Sequence, residues 1–125
     1  MTPQEVLEVR RSTGWAENEK EEGWLLNPTS CLSAVGVRDN SSGQLVGMGF
    51  IVGNTRHAVL CDFNVRPEHQ GKGIGKAILL KRLELIKELG IPFVYTSLDP
   101  SNPLRKLYED SGFVSDNNVY FWNRS

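Results

Sequence analysis

A strand-like segment, a glycine-rich turn and a long helical pattern follow one another between residues 57 and 90, and this succession constrains the fold most. The turn, Gln70 to Gly75, contains three glycines and one lysine. Glycine lets the backbone approach a bulky ligand closely, and the first amides of a helix have no internal hydrogen-bond partners. The turn therefore predicts a site for a phosphate or pyrophosphate, with a turn that serves chain geometry alone as the alternative.

The helix after this turn is predicted to span 74–89, because its apolar residues recur at helical spacing and Gly90 is a typical stop. Arg82 interrupts the apolar side, and we expect its charged end to reach water along an aliphatic stem. The predicted apolar stripe consists of Ile74, Ile78, Leu85 and Leu89, flanked by Leu79, Leu83 and Ile86.

The rest of the pattern predicts an α/β domain in which helices flank a mixed, mostly antiparallel central sheet. Gly47 and Gly49 are expected to weaken one strand, and the apolar density of 57–65 predicts a central strand that is covered on both faces. Predicted helices span 2–12, 74–89 and 103–112, a short helix or loop spans 14–26, and predicted strands span 31–39, 44–53, 57–65, 91–98 and 119–123.

The composition is that of one globular domain over residues 1–125, since 39% of the residues are apolar and 23% are charged. A net charge of −1 gives no global attraction to nucleic acid or to an anionic membrane, and no apolar run is long enough to cross a bilayer. Cys31 and Cys61 lie far apart in apolar segments, so we expect two buried thiols in a reducing compartment and no metal site. These features predict a soluble cytoplasmic protein.

Two common phosphate-binding loops do not fit the turn. The dinucleotide pattern G-x-G-x-x-G fails by one residue, because the glycines are Gly71, Gly73 and Gly75. The preceding strands also form a meander rather than opening a parallel unit. For the triphosphate pattern G-x-x-x-x-G-K-[ST], Gly71 and Gly75 are one residue too close together. Ala77 also stands where the pattern needs a hydroxyl to bind magnesium.

Two segments instead resemble the motifs of the GCN5-related N-acetyltransferase (GNAT) family. VRPEHQGKGIGKAIL, residues 65–79, resembles the acetyl-CoA-binding motif with its signature Q/R-x-x-G-x-G/A. DPSNPLRKLYEDSGF, residues 99–113, resembles the later motif, in which an Asn opens a helix, a Tyr follows and Gly-Phe closes it. The resemblance covers residues 31–122 and implies the GNAT fold. The strand that usually precedes the family's first helix is expected to be missing or to be supplied otherwise.

The resemblance implies that acetyl-CoA is the co-substrate and that its pyrophosphate lies on the amides of the loop. Its pantetheine arm would pair with the exposed backbone of Phe63, Asn64 and Val65, as an added strand would. Asn102 matches an Asn that often touches coenzyme A, with helix capping as the alternative. The loop residues implied are Gln70, Gly71, Lys72, Gly73, Ile74, Gly75 and Lys76.

The resemblance also implies catalytic roles for two residues. Tyr108 matches the family's tyrosine that donates a proton to the departing thiolate, with plain packing of its ring as the alternative. Asp62 is the predicted general base, since several family members carry an acid on this strand, and a structural ion pair is the alternative. His57 is a lower-ranked candidate base, and Glu68 and His69 are expected to face solvent. Cys61 is not expected to act as a nucleophile, because no partner base is evident.

The implied function is an N-acetyltransferase that moves an acetyl group from acetyl-CoA to a primary amine of a small molecule, an amino acid or a protein. Direct attack in a ternary complex is the expected route. One alternative is a catalytically silent coenzyme A-binding sensor or interaction subunit, and another is some other phosphate binder. Aromatic residues 120–122 would fit a homodimer, neither nucleic acid nor membrane is an expected partner, and no motif specifies the acceptor.

Overall fold

A computed structural model of the chain describes residues 1–14, 31–98, 101–116 and 119–123. Apart from Gly14, the helix or loop predicted over 14–26 lies outside these ranges, and so do the side chains of the aromatic residues 120–122. The helices are α1 (Pro3–Ser12), α2 (Ile74–Leu89), α3 (Arg105–Asp110) and a short 3-10 helix (Pro67–His69); the strands are β1 (Cys31–Arg38), β2 (Leu45–Gly53), β3 (His57–Val65), β4 (Phe93–Ser97), β5 (Phe113–Asp116) and β6 (Val119–Asn123).

The six strands form one mixed sheet in the order β1-β2-β3-β4-β6-β5. Every neighbouring pair is antiparallel except β3 and β4, which are parallel and are joined through α2. A parallel pair needs such a crossover, whereas the β1–β2 hairpin closes through a turn in which the Gly43 amide donates to the Asp39 carbonyl at 2.8 Å. The predicted α/β class with a mixed sheet is therefore confirmed.

Helix α1 begins at Pro3, two residues from the start of the sequence. The Thr2 hydroxyl caps the helix by accepting from the Glu5 amide, and the Glu5 carboxylate accepts in turn from the Thr2 amide, which completes a capping box of the kind that Thr2 and Glu5 favour by their spacing. The buried Val6 and Val9 of α1 pack against the face of the sheet that carries Phe50.

Helix α2 covers the opposite face of the sheet, and two glycines of β2 make this possible. A Cβ on Gly47 would lie 2.9 Å from Ile74, and one on Gly49 would lie 2.7 Å from Ile78. These distances are too short for any larger side chain, so the glycines let the helix approach instead of weakening the strand. Strand β2 is buried almost throughout, while β3 is exposed at alternate residues near its start, so the strand covered on both faces is β2 and not β3.

The predicted bounds of α2 are confirmed, but its buried side is turned from the predicted one. Leu89 is 47% exposed and Leu85 is half-buried. Arg82 has no exposed surface, which contradicts the expectation that its charged end reaches water. The buried residues of the helix are Ile78, Leu79, Arg82, Leu83 and Ile86.

The carboxyl-terminal strands differ in part from the predicted ones. Strand β5 was not predicted, because its four residues are too short for a periodic pattern. The sequence favours an edge or hairpin strand for 119–123, and β6 agrees with the hairpin alternative, because it pairs antiparallel with the preceding β5 and lies between β4 and β5 rather than at the edge. Helix α3 is also shorter than the predicted 103–112.

Candidate cofactor-binding and active site

Strands β3 and β4 pair only over a short stretch and then separate. Their pairing runs from His57 to Val59, with a last contact in which the Thr96 hydroxyl donates to the Leu60 carbonyl at 3.1 Å. Strand β3 continues to Val65 without a strand partner on that side among the described residues. The unpaired backbone of this half of β3 forms one wall of an opening in the sheet.

A β-bulge bends β3 at the start of this opening. Met48 pairs with Asn64 and Phe50 with Cys61, so two residues of β3 face the single Gly49. Asp62 lies on the bulge with a φ of +49°, in the left-handed region that few residues other than glycine adopt. Its carboxylate binds the guanidinium of Arg10 on α1, so the bulge is tied to the first helix.

A cleft of about 470 Å³ lies between the end of β3, the glycine-rich turn and the start of the last helical segment. It joins the two sequence motifs, because residues of both line it. Of the residues predicted to bind the carrier, only Lys72 is not among the lining ones. The cleft is lined by Thr13, Phe63, Asn64, Val65, His69, Gln70, Gly71, Gly73, Ile74, Gly75, Lys76, Asn102, Pro103 and Leu104.

The glycine-rich turn presents bare amides to the cleft. Gly71 and Gly73 have φ values of +78° and +83°, and a Cβ at either position would meet nothing within 4 Å. The first helical hydrogen bond joins the Ala77 amide to the Gly73 carbonyl at 3.1 Å, so the three amides before Ala77 have no acceptor among the described residues. Open space beside unpaired amides, at the positive end of a helix, fits an anion of the size of a diphosphate.

Gly75 differs from Gly71 and Gly73, because its lack of a side chain leaves room for an aromatic ring. A Cβ there would lie 2.9 Å from Cζ of Phe63 and 3.2 Å from Leu104. The Phe63 ring therefore packs on the first turn of α2 and joins three parts of the cleft. The sequence indicated a glycine-rich ligand site. It did not show that Gly75 is needed for packing, whereas Gly71 and Gly73 are needed for their left-handed backbone conformation.

Two side chains fix the end of β3. The Gln70 side-chain amide donates to the Val65 carbonyl at 3.0 Å, so one of the backbone groups predicted to pair with pantetheine is held by the loop itself. Asn64 is only 4% exposed, and its side-chain oxygen accepts from the Thr13 hydroxyl at 2.7 Å. Thr13 and His69 were not predicted as carrier-binding residues, since no motif marks them.

The later motif supplies a turn that lines the cleft and a buried phenol. The Asn102 side chain accepts from the Leu104 amide at 2.9 Å and lines the cleft. Leu104 is the N-cap residue of α3 and no side chain caps this helix, so Asn102 holds the turn before the helix and is not its cap. Tyr108 is 2% exposed and packs edge-on against Phe113 at 5.4 Å between ring centroids. It lies one helical turn after Leu104, behind the lining residues, and its hydroxyl accepts from Arg82 Nη2 at 3.2 Å.

The remaining titratable candidates are placed apart from one another. His57 is exposed, stacks on Phe93 at 5.1 Å and lies at the end of β3 remote from the cleft. Glu68 faces solvent as predicted, but His69 is half-buried and lines the cleft. Burial, with Asp62 adding to it, raises the pKa of the Cys61 thiol to about 12, and a thiol in this state carries little of the reactive thiolate.

The two cysteines are free and only half-buried, so the expectation of buried thiols is met in part.

Within the described ranges, no three His, Cys, Asp or Glu side chains come together as metal ligands would. The described helices also include none long and apolar enough to cross a membrane.

Curated relatives resemble part of the chain. A mycothiol acetyltransferase of Nocardiopsis dassonvillei is 34% identical over 75 residues, which is 59% of this chain and 19% of that protein. A [ribosomal protein bS18]-alanine N-acetyltransferase of Haemophilus influenzae is 32% identical over 72 residues, which is 58% of this chain and 49% of that protein. The chain thus spans about half the length, or less, of the curated relatives it matches.

Solved structures extend the likeness over the whole fold. The ribosomal-protein-S18-alanine N-acetyltransferase of Escherichia coli superposes with a TM-score of 0.85 at 16% identity, covering 98% of this chain and 88% of that one. Several other solved acetyltransferases of similar fold contain coenzyme A or acetyl-CoA. A sequence model of the Acetyltransferase (GNAT) family matches residues 4–113. The chain therefore belongs to the GNAT acetyltransferase family.

Proposed function

We propose that residues 1–125 form one acetyl-CoA-dependent N-acetyltransferase domain that acetylates a primary amine. The observation that carries the proposal is the cleft itself, in which a turn of unpaired amides lies at one end of an unpaired half-strand. An extended carrier with a diphosphate at one end and amide groups along its length matches both parts.

The chain's own groups fit coenzyme A at three points. The amides of Ile74, Gly75 and Lys76 would hold the diphosphate, and the Lys76 ammonium beside the cleft adds positive charge. The cleft-facing backbone of β3 would bind the pantetheine arm as an additional strand. Because Gln70 holds the Val65 carbonyl, the arm either displaces this side chain or uses only the neighbouring backbone groups.

Bound acetyl-CoA supplies a thioester carbonyl that a neutral amine can attack. The protein must then take a proton from the amine nitrogen and give one to the leaving sulfur. Tyr108 is the proposed proton donor, because a phenol and an alkyl thiol have comparable acidities and proton transfer between them is nearly balanced. A backbone amide of β3 near Val65 is the proposed hydrogen-bond donor to the carbonyl oxygen.

Asp62 was predicted to be the base, and its ion pair with Arg10 bears on this role. This carboxylate is already bound by a guanidinium of α1, and the contact holds the bulge of β3 in place. We therefore propose that Asp62 chiefly fixes the bulge against α1, which is the structural alternative for this residue. Its role as the base remains a prediction that substitution can test.

The acceptor class is proposed as a primary amine without further definition. By their names, the two curated relatives act on different acceptors, one in mycothiol acetylation and one on an alanine of a ribosomal protein. A cytoplasmic location and a homodimer also stay proposals. Because β6 is paired on both sides, a dimer could not form by strand pairing at β6, and the edge strands of the described sheet are β1 and β5.

Calorimetry with coenzyme A, ATP and NAD, followed by an acetyl-transfer assay on a panel of amines, tests the proposal. We expect binding of coenzyme A in clear preference to ATP and NAD, and release of free thiol with at least one amine class. Equal binding of all three nucleotides would contradict a coenzyme A site. Selective binding without transfer to any amine would instead indicate the silent carrier-binding alternative.

A further inference from the structure

Arg82 is a buried cation that the proposed reaction does not yet use. It has no exposed surface, and a Cβ on Gly49 would lie 3.0 Å from its Cζ and Nε, so a missing side chain on β2 provides its space. Its polar contacts are the Phe50 carbonyl at 3.5 Å and the Tyr108 hydroxyl at 3.2 Å, and the Phe63 ring lies 5.5 Å from its Cζ. Among the described residues no carboxylate pairs with it, and its Nε has no hydrogen-bond partner.

A buried arginine without an ionic partner lowers the stability of the fold. Burial lowers the pKa of Arg82, while the Tyr108 phenol opposes this shift. Moving a charge out of water without an ionic partner costs stability, and an apolar side chain of similar length would fill the same space at lower cost. Groups that cost stability without a compensating contact are concentrated at functional sites.

The hydrogen bond to Tyr108 has only one direction. A guanidinium donates and cannot accept, so the phenol oxygen is the acceptor and its own proton must point elsewhere. Among the residues that the structure describes, this proton has no acceptor. Tyr108 shares its buried cluster with Leu60, where β3 and β4 begin to separate, and with Leu98, which follows the end of β4.

We propose that Arg82 is a positioning residue for Tyr108, which holds the phenol as a hydrogen-bond acceptor so that its proton is offered to the leaving sulfur. This inference rests on the proposed acetyl transfer. In the step concerned the C–N bond has formed and the C–S bond breaks, and sulfur keeps the electron pair. The O–H bond of Tyr108 then breaks, an S–H bond forms, and the phenolate that remains lies beside the Arg82 guanidinium until a proton from the amine or from water restores it.

A double-mutant cycle tests this inference on the full chain. Arg82→Met in the wild-type background is expected to lower kcat about tenfold or more and to leave coenzyme A affinity within twofold. In the Tyr108→Phe background the same substitution should change kcat less than twofold, because Arg82 acts through the phenol. Arg82→Lys should restore much of the lost rate, since it keeps a charged donor, and Lys81→Met on the exposed side of the helix is the matched control.

A second readout does not depend on activity. Because the buried charge is costly, Arg82→Met should leave the Tm of the free protein unchanged or raise it, whereas a residue with a purely structural role would lower it. Multiplicative losses in the double mutant, or a lowered Tm with unchanged kcat, would overturn the inference and leave the proposed function standing. Wild-type protein that transfers acetyl to no amine would instead refute the proposed function, whatever the Tm of the variant.

Discussion

Substitution of Gly73 by alanine tests two roles of the glycine-rich turn separately. One is the left-handed backbone conformation, which affects stability, and the other is the proposed binding of the diphosphate. Gly73 has a φ of +83°, and a Cβ there would meet nothing within 4 Å. Gly43, in the β1–β2 turn, has a φ of +74° and equally open surroundings, and it does not line the cleft. Gly43→Ala is therefore a matched control for the backbone cost alone.

The two substitutions should cost the same stability. An L-residue in the left-handed region costs about 1–2 kcal/mol relative to glycine. For a chain of this length about 1 kcal/mol lowers Tm by roughly 4 °C, so both variants should melt about 4–8 °C below wild type. Thermal denaturation followed by circular dichroism measures this directly.

Only the Gly73 variant should lose coenzyme A. Relief of the backbone strain moves the amides that follow, and each charge-assisted hydrogen bond that is lost is worth about 1.5–3 kcal/mol, which is a Kd at least about tenfold weaker. Calorimetric titration of the two variants gives the comparison. If Gly73→Ala and Gly43→Ala bound coenzyme A equally well, the diphosphate would not lie on these amides and the proposed site would be wrong.

Three further predictions concern charged and reactive groups outside the turn. Asp62→Asn should destabilise the fold by about 1–3 kcal/mol in urea denaturation, because it weakens the part-buried contact between this residue and the guanidinium of Arg10. The same variant should change kcat less than tenfold, and a hundredfold loss of kcat at unchanged stability would make Asp62 the base. The hydrogen bond from Arg38 lowers the pKa of Glu5 to about 2, so the stability that this pair contributes is complete above about pH 4.5 and declines as the pH falls towards 2. Glu5→Gln should therefore flatten the pH dependence of Tm between these two values, and an unchanged slope would refute the pairing. With its pKa raised to about 12, the thiol of Cys61 should react with iodoacetamide at pH 8 at least a hundredfold more slowly than a free cysteine, and rapid labelling of the native protein at this position would contradict the burial described here.

Local chemistry allowed much of this structure to be predicted from the sequence. The capping box of α1, the bounds Ile74–Leu89 of α2 and the bounds His57–Val65 of β3 all follow from signals within a few residues of each element. The same holds for the turn that presents its amides, because left-handed glycines ahead of a helix determine its geometry without help from the rest of the chain. The cleft joins both sequence motifs, as the resemblance to the family implied.

What only the tertiary structure decided depends on residues that are distant in sequence. The Thr13 hydroxyl donates to Asn64, which lies 51 positions later in the sequence, and Asp62 binds Arg10, which lies 52 positions earlier. Helical periodicity placed Arg82 on the apolar side but could not show that a glycine on another strand leaves room for it. The insertion of β6 between β4 and β5 is likewise invisible to local pattern, since strand order follows from which faces and edges must be covered together. The sequence thus determined most of the helices and strands and the turn of unpaired amides, whereas packing between distant segments determined the buried charge, the bulge and the neighbours of the site.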